Sequence, residues 1–232
     1  MKYSVIFPYY KRPQILGKSL FSLQKHYESR RDFEVIFVLD LKNTAAERDE
    51  FFSHLEPFWD KMRIVVMDTD IYTYNSCRAY NIASDRAKGD YLVISNPECI
   101  HKTNILTGLD EEFSRDPNVY VVCACAAITD DGTFCSWYQH SIHNNRLLHF
   151  CSAISKENFK NIGGFDEEYI YGIAYEDDEW RARVQHAKHR IILRDDLVVS
   201  HIEHSREYAS SRSELIRKNC ELYKSKWESG AK

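Results

Sequence analysis

Four consecutive carboxylates, Glu176, Asp177, Asp178 and Glu179, follow a Gly-Gly turn and an aromatic spacer in the stretch NIGGFDEEYIYGIAYEDDEWRAR, from Asn161 to Arg183. Like charges side by side raise one another's pKa, so such a cluster suits a place where protons, cations or substrate hydroxyls use it. Acidic residues also complement the dipole of a helix first turn, which is the purely structural role open to the same four side chains. Polar residues recur just beyond apolar runs that read as strands. They are Pro8-Tyr9-Tyr10 after the first run, Asp40 after the second, Asn96-Pro97-Glu98 after the fourth, and His201 after Leu197 to Ser200. Ligands of open α/β sheets bind outside the carboxyl ends of the strands, so these places are expected to converge. Neither GxGxxG nor GxxxxGK[ST] follows any of them, which removes the backbone phosphate cradles. The remaining general solution for a diphosphate is a divalent cation held by a carboxylate and one or two other ligands.

The elements that must position these groups are legible in the pattern. Tyr3 to Pro8 is an apolar run, and Pro13 opens a helix with Leu16, Leu20 and Leu23 on one face. Phe33 to Leu39 is a second buried-strand run, followed by a capping box, Thr44-x-x-Glu47, ahead of a helix carrying Phe51, Phe52 and Leu55. Arg63 to Met67 is a third strand; a helix from about Asn75 to Lys88 is expected to close on Gly89 as a left-handed cap, and Asp90 to Ser95 is a fourth strand. This alternation predicts a parallel sheet with helices on both faces. Beyond Asn96 come a helix with Leu106, Leu109 and Phe113, the strand Val119 to Ile128, an Asp-Gly turn at 131 and 132, and an aromatic, histidine-rich stretch from Phe134 to Phe150. A mixed topology is expected there. The last segment, with Ser211-x-x-Glu214 and the stripe Ile216, Cys220, Tyr223 and Trp227, reads as an amphipathic terminal helix.

The chain has 232 residues, enough for one large domain with a real core, and a formal net charge of −4 with its basic residues scattered. No electrostatic footprint for nucleic acid is visible. No apolar run approaches the roughly 20 residues that span a bilayer, and the N-terminal run is too short for a signal peptide, so a soluble, cytoplasmic chain is expected. Seven cysteines without a C-x-x-C pair suit reduced, buried thiols rather than a zinc site.

Five segments, taken in order, resemble the inverting GT-A glycosyltransferases of family 2, over roughly residues 3 to 205. YSVIFPYYKRPQILGKSLFSL looks like that family's first strand and helix, and FEVIFVLD like its second strand ending in the aspartate that binds uracil. RAYNIASDRAKGDYLVISNPE looks like its Arg/Asn-bearing helix and metal-binding strand end; NIGGFDEE and YEDDEWRAR look like its acceptor-side loop and catalytic-base helix. The resemblance implies a Rossmann-like α/β GT-A fold, with a mostly parallel central sheet flanked by helices. Residues 1–100 would form the nucleotide-binding half, 101–205 a mixed acceptor-binding half and 206–232 a C-terminal amphipathic helix.

Carried over by that resemblance, Pro8, Tyr9, Tyr10, Arg12, Asp40, Arg78, Asn81, Asn96 and Pro97 would bind the nucleotide-sugar, with Tyr9 near the base and Asp40 accepting from its imide nitrogen. The family's Asp-x-Asp is replaced here by Asn96-Pro97-Glu98. Glu98 keeps one carboxylate and His201 would add an imidazole, so Mn²⁺ or Mg²⁺ is the implied cofactor, with His204 and His101 as poorer ligands. Asp177 would be the base, with Glu176 and Asp178 binding hydroxyls or tuning its pKa; spacing alone leaves Asp177 and Asp178 both open. Gly163, Gly164, Asp166, Trp137 and Tyr175 would line the sugar and acceptor side, with Tyr138 and Tyr171 as further stacking surfaces. The implied donor is a UDP-sugar and the acceptor a glycan, a lipid-linked glycan, a protein or a modified nucleic-acid base. A nucleotidyltransferase of similar architecture is the rival enzyme, although Tyr9-Tyr10-Lys11-Arg12-Pro13 lacks its glycine-rich loop. A non-catalytic nucleotide- or carbohydrate-binding domain is the rival of another class.

Overall fold

A computed structural model describes residues 1–203 and 211–227; His204 lies outside them. The order is β1 (Tyr3–Tyr9), α1 (Pro13–Tyr27), β2 (Phe33–Leu39), α2 (Ala45–Leu55), β3 (Arg63–Asp68), α3 (Cys77–Arg86) and β4 (Tyr91–Ser95). Then follow β5 (Cys99–His101), α4 (Ile105–Arg115), β6 (Tyr120–Ile128), β7 (Phe134–Gln139), β8 (Cys151–Ser155) and α5 (Lys156–Ile162). A 3₁₀ turn (Glu167–Tyr171), α6 (Glu176–His186), β9 (Ile191–Ile202) and α7 (Arg212–Trp227) complete it. Among the described residues one sheet of nine strands runs β3-β2-β1-β4-β8-β6-β9-β5, with β7 paired to β6.

The first four strands of that order pair in parallel. From β8 onward the sheet is mixed: β8 is antiparallel to β4 and β6, and β9 runs parallel to β6. Side chains of β1 alternate, so Tyr3, Val5, Phe7 and Tyr9 join the core under α1 and α2 while Ile6 joins the core under α3. Strands buried on both faces need apolar residues at nearly every position, which is why β2 reads FEVIFVL and all seven of its residues are buried. Glu34 is the polar member of that run, and it sits at the start of β2, where partners can reach it.

Local chemistry sets most boundaries. Pro13 occupies the first turn of α1. Thr44 and Glu47 form the expected box, Glu47 N–H donating to Thr44 Oγ1 at 3.3 Å and Thr44 N–H to Glu47 Oε2 at 2.7 Å. Gly132, at φ 90, makes the β6–β7 turn. All seven cysteines are free thiols, five of them buried.

Two expectations are corrected. Helix α3 ends at Arg86, and Gly89 is not its left-handed cap: a Cβ there would lie 2.5 Å from Ser4 N, so glycine is needed for close backbone approach to β1. The last strand is not the short run Leu197 to Ser200 but β9, whose twelve residues contain His201, paired with Cys99 of β5. On α7 the expected stripe is half-buried, Tyr223 packing on Tyr175, and Asn219 is buried beside it, its side-chain amide donating to the carbonyls of Tyr169 and Ala174 at 3.1 and 2.8 Å. Among the described residues no helix is long and apolar enough to cross a membrane.

Candidate functional site

The carboxyl ends of β1, β2 and β4 open into a cavity of about 310 Å³ lined by Pro8, Tyr9, Tyr10, Arg12, Asp40, Asn96, Pro97, Glu98 and His201. Lys42, Thr73, Tyr74, Asn75, Ser76 and Phe150, for which the sequence offered no signal, line it too. Tyr9 itself is only 2 % exposed and packs on Phe51, ring centroids 4.5 Å apart, so it forms the floor of the cavity. Asp40 accepts from the Lys42 backbone N–H at 2.8 Å, and the Lys42 ammonium lies 3.5 Å from its other oxygen and 4.9 Å from the Tyr10 ring. The Tyr80 hydroxyl donates to Asn96 Oδ1 at 3.3 Å.

A second pocket, of about 230 Å³, adjoins the first. Tyr74, Asn75, Ser76, Asn96 and Phe150 line both, and Glu176, Asp177, His149 and Ile173 complete the second. Helix α6 delivers its acids there because Ala174 and Tyr175 turn the chain through left-handed conformations, φ 63 and 68, just before its first residue.

The four carboxylates at the start of α6 are disposed of differently. Glu179 is buried and ion-paired to Arg183 at 2.6 Å, and Asp178 meets Arg181 at 3.0 Å without lining either pocket. Asp177 Oδ1 accepts the backbone N–H of His149 at 2.9 Å and lies 2.6 Å from its Nδ1. Oε2 of Glu176 is buried with no hydrogen-bond partner.

These environments set the protonation. Burial pushes Glu176 up, and the charge of Asp177 adds to it, to a pKa of about 7. Burial also opposes ionisation of Asp177, but the charge and hydrogen bonds of His149 outweigh it and hold the carboxyl below its ordinary value. For His149 burial acts downward and the charge of Asp177 upward; the net shift is upward. The imidazole is walled by the Tyr80 and Phe165 rings at 5.5 and 5.0 Å, which fixes its approach to Asp177.

The remaining candidates face elsewhere. Arg78 is paired with Asp70 and, at 3.1 Å, with Glu167. Asn81 donates to Phe165 O and Glu167 Oε1 and accepts from Phe165 N–H, each at 2.8 Å. Both therefore brace the GGFDEE loop instead of lining the cavity. Gly163 and Gly164, at φ 96 and 68, cap α5, and a Cβ on Gly164 would lie 2.6 Å from Asn81 Oδ1. Asp166 caps the 3₁₀ turn and pairs with Lys226. Tyr175 packs on Tyr223, and Trp137 sits on β7 beside His140 and His143. None of these lines either pocket.

Among the described residues no cluster of three His, Cys, Asp or Glu side chains could hold a metal ion. Glu98 and His201 share the first cavity as one carboxylate and one imidazole, a pair that fits a cation whose other ligands are phosphate and water oxygens.

Comparison with known proteins gives the fold independently. The chain is similar to Staphylococcus aureus TarS, with TM-score 0.70 and 17 % identity over 88 % of this chain and 37 % of that one. It is similar to the Pyrobaculum calidifontis mannosyltransferase PcManGT, solved with GDP-Man and Mn²⁺, with TM-score 0.66 and 17 % identity over 89 % of this chain and 58 % of that one. It is also similar to GalNAc-T7, solved with UDP, GalNAc and Mn²⁺, with TM-score 0.72 and 15 % identity over 90 % of this chain and 44 % of that one. The chain thus spans less than two thirds of each of these three relatives. Among curated protein sequences none matches significantly. The profile of glycosyl transferase family 2 matches residues 4–172, and with its mixed α/β sheet of GT-A type the chain belongs to that family.

Proposed function

We propose that this chain is an inverting glycosyltransferase that moves a sugar from a nucleotide-sugar, most simply a UDP-sugar, to an acceptor hydroxyl. The observation that carries the reading is the continuity of the two pockets: the strand-end cavity with Asp40, Glu98 and His201 opens through Asn96 onto Glu176 and Asp177. A nucleotide with its base near Tyr10 and Asp40 would place its diphosphate toward Asn96 and Glu98, and its sugar toward α6. Similar structures carrying UDP or a GDP-sugar with Mn²⁺ support that donor class.

Inversion requires the acceptor oxygen to attack the anomeric carbon opposite the leaving diphosphate while a base takes its proton. Asp177 is the base: it lines the sugar-side pocket, and His149 keeps it ionised and oriented. Asp178, paired to Arg181, is the poorer candidate. Glu176 either accepts from or donates to a substrate hydroxyl, because a pKa of about 7 leaves both forms populated at neutral pH. Mn²⁺ or Mg²⁺, held by Glu98 and His201, would neutralise the leaving diphosphate. The acceptor is a glycan, free or carried on a lipid or protein.

Incubating the chain with UDP-sugars and Mn²⁺ tests the reading through UDP release, a usual slow side reaction of such enzymes. Release that chelator abolishes is expected. Tight UDP binding without turnover of any donor would leave a binding domain in its place.

A further inference from the structure

Arg12 reaches into the strand-end cavity and places Nη1 2.6 Å from Glu98 Oε1, with side chains 30 % and 12 % exposed. It gets there from an unusual backbone. Lys11 and Arg12 both adopt left-handed conformations, φ 58 and 62, and no side-chain hydrogen bond caps α1 at Arg12. Two consecutive non-glycine residues there are strained, and such strain persists only where surrounding contacts impose it. Asn43 Oδ1 accepts the Lys11 N–H at 3.0 Å and so holds the turn that points the guanidinium at Glu98.

The consequence is electrostatic. Among the described residues Asp40 has Lys42 beside it and Glu98 has Arg12, so each of these two cavity carboxylates already faces a cation before any ligand arrives. A divalent cation needs the Glu98 carboxylate, one oxygen of which Arg12 holds. A diphosphate needs positive charge, and Arg12 is engaged with Glu98. Each ligand alone must break a charge-assisted hydrogen bond, while the two together replace it: the metal takes Glu98 and the released guanidinium takes phosphate oxygens in its planar fork.

We propose that Arg12 is an exchangeable counter-ion for Glu98, which keeps the metal site closed in the empty cleft and makes metal and nucleotide diphosphate bind cooperatively. This rests on reading the cavity as a nucleotide-diphosphate site. The coupling is reciprocal, each ligand tightening the other by the same factor, and about 5- to 150-fold is the usual range for such coupling.

Titrating Mn²⁺ into the full chain, with free Mn²⁺ read by its electron paramagnetic resonance signal, with and without UDP, tests this. Arg12→Gln is expected to bind Mn²⁺ alone at least fivefold more tightly than wild type and to lose most of the UDP–Mn²⁺ coupling. Glu98→Gln should lose Mn²⁺ binding. Arg12→Met, which keeps the aliphatic stem, serves if the glutamine variant does not fold, folding being followed by circular dichroism. A folded Arg12 variant that binds Mn²⁺ no more tightly than wild type overturns the proposal, because a merely structural arginine would not weaken metal binding. Failure of UDP to bind any variant at any Mn²⁺ concentration would instead remove the nucleotide reading and leave the Mn²⁺-only comparison to decide the Arg12–Glu98 exchange.

Discussion

Two glutamates, Glu34 buried and Glu176 half-buried, stand at opposite ends of the sheet, and their surroundings could hardly differ more. Glu34, at the start of β2, accepts from Ser4 Oγ and Lys88 N–H at 2.7 Å each and from Arg63 Nε at 3.0 Å. With Gly89 N–H donating to Ser4 Oγ at 2.9 Å, the glutamate ties the starts of β1, β2, β3 and β4 together. Glu176, at the cleft end, is left with a buried unpartnered oxygen and a carboxylate neighbour. A buried charge that is fully satisfied holds structure in place, whereas one left short of partners is a cost that a bound substrate or a proton relieves. On the proposed function, the difference marks the end of the sheet that does chemistry.

The largest effect that would sharpen this contrast is on turnover. Asp177→Asn should lower kcat about 10²- to 10⁴-fold with donor affinity nearly unchanged, since a base acts mainly in the transition state; a comparable loss from Asp178→Asn instead would move the base one residue along.

At the other end, Glu34→Ala should cost about 3–5 kcal/mol of stability by stripping a buried network of its acceptor, without altering UDP affinity. Thermal melting reads this as a fall in Tm of roughly 10 °C for a chain of this size.

Glu176→Gln should act in the opposite sense and with pH dependence. The folded pKa of about 7 lies above the ordinary 4.5, so the folded state binds more protons between those values and loses stability as pH rises through them. The amide escapes that loss, so the variant should be more stable than wild type at pH 8, by up to about 3 kcal/mol, and show little difference near pH 4. Equal melting curves at both pH values would mean that Glu176 is not the strained carboxylate described here.

The smallest effect expected is a shift of the acid limb of the pH–rate profile. His149 holds Asp177 below its ordinary pKa, so His149→Phe should move the loss of activity on acidification to higher pH. An unmoved limb would assign His149 to packing alone.

Much of this was legible in the chain because the signals are local. Pro13, the Thr44–Glu47 box and the Asp131-Gly132 turn act within a few residues of themselves, and the apolar runs of β1, β2 and β4 declare burial on both faces. Gly89 misled because glycine serves both left-handed caps and close backbone contacts, and only the position of Ser4, 85 residues away, distinguishes them. Arg78 and Asn81 show a related limit: they point from α3 to partners around Glu167, which no helical spacing encodes. His149 gave no signal, being one of several histidines in an irregular stretch.

The sequence by itself determined the alternation of strands and helices, the placement of Asp40, Asn96 and Glu98 just beyond strands and of the four acids at a helix start, and a resemblance strong enough to name a family. Only the tertiary structure decided which of those acids are neutralised and by whom. Arg12 meets Glu98 across 86 residues and His149 meets Asp177 across 28. Propensities and caps act over one turn of chain, but pairing of charges follows from how the sheet brings distant loops to one edge, and it is that pairing which sets pKa.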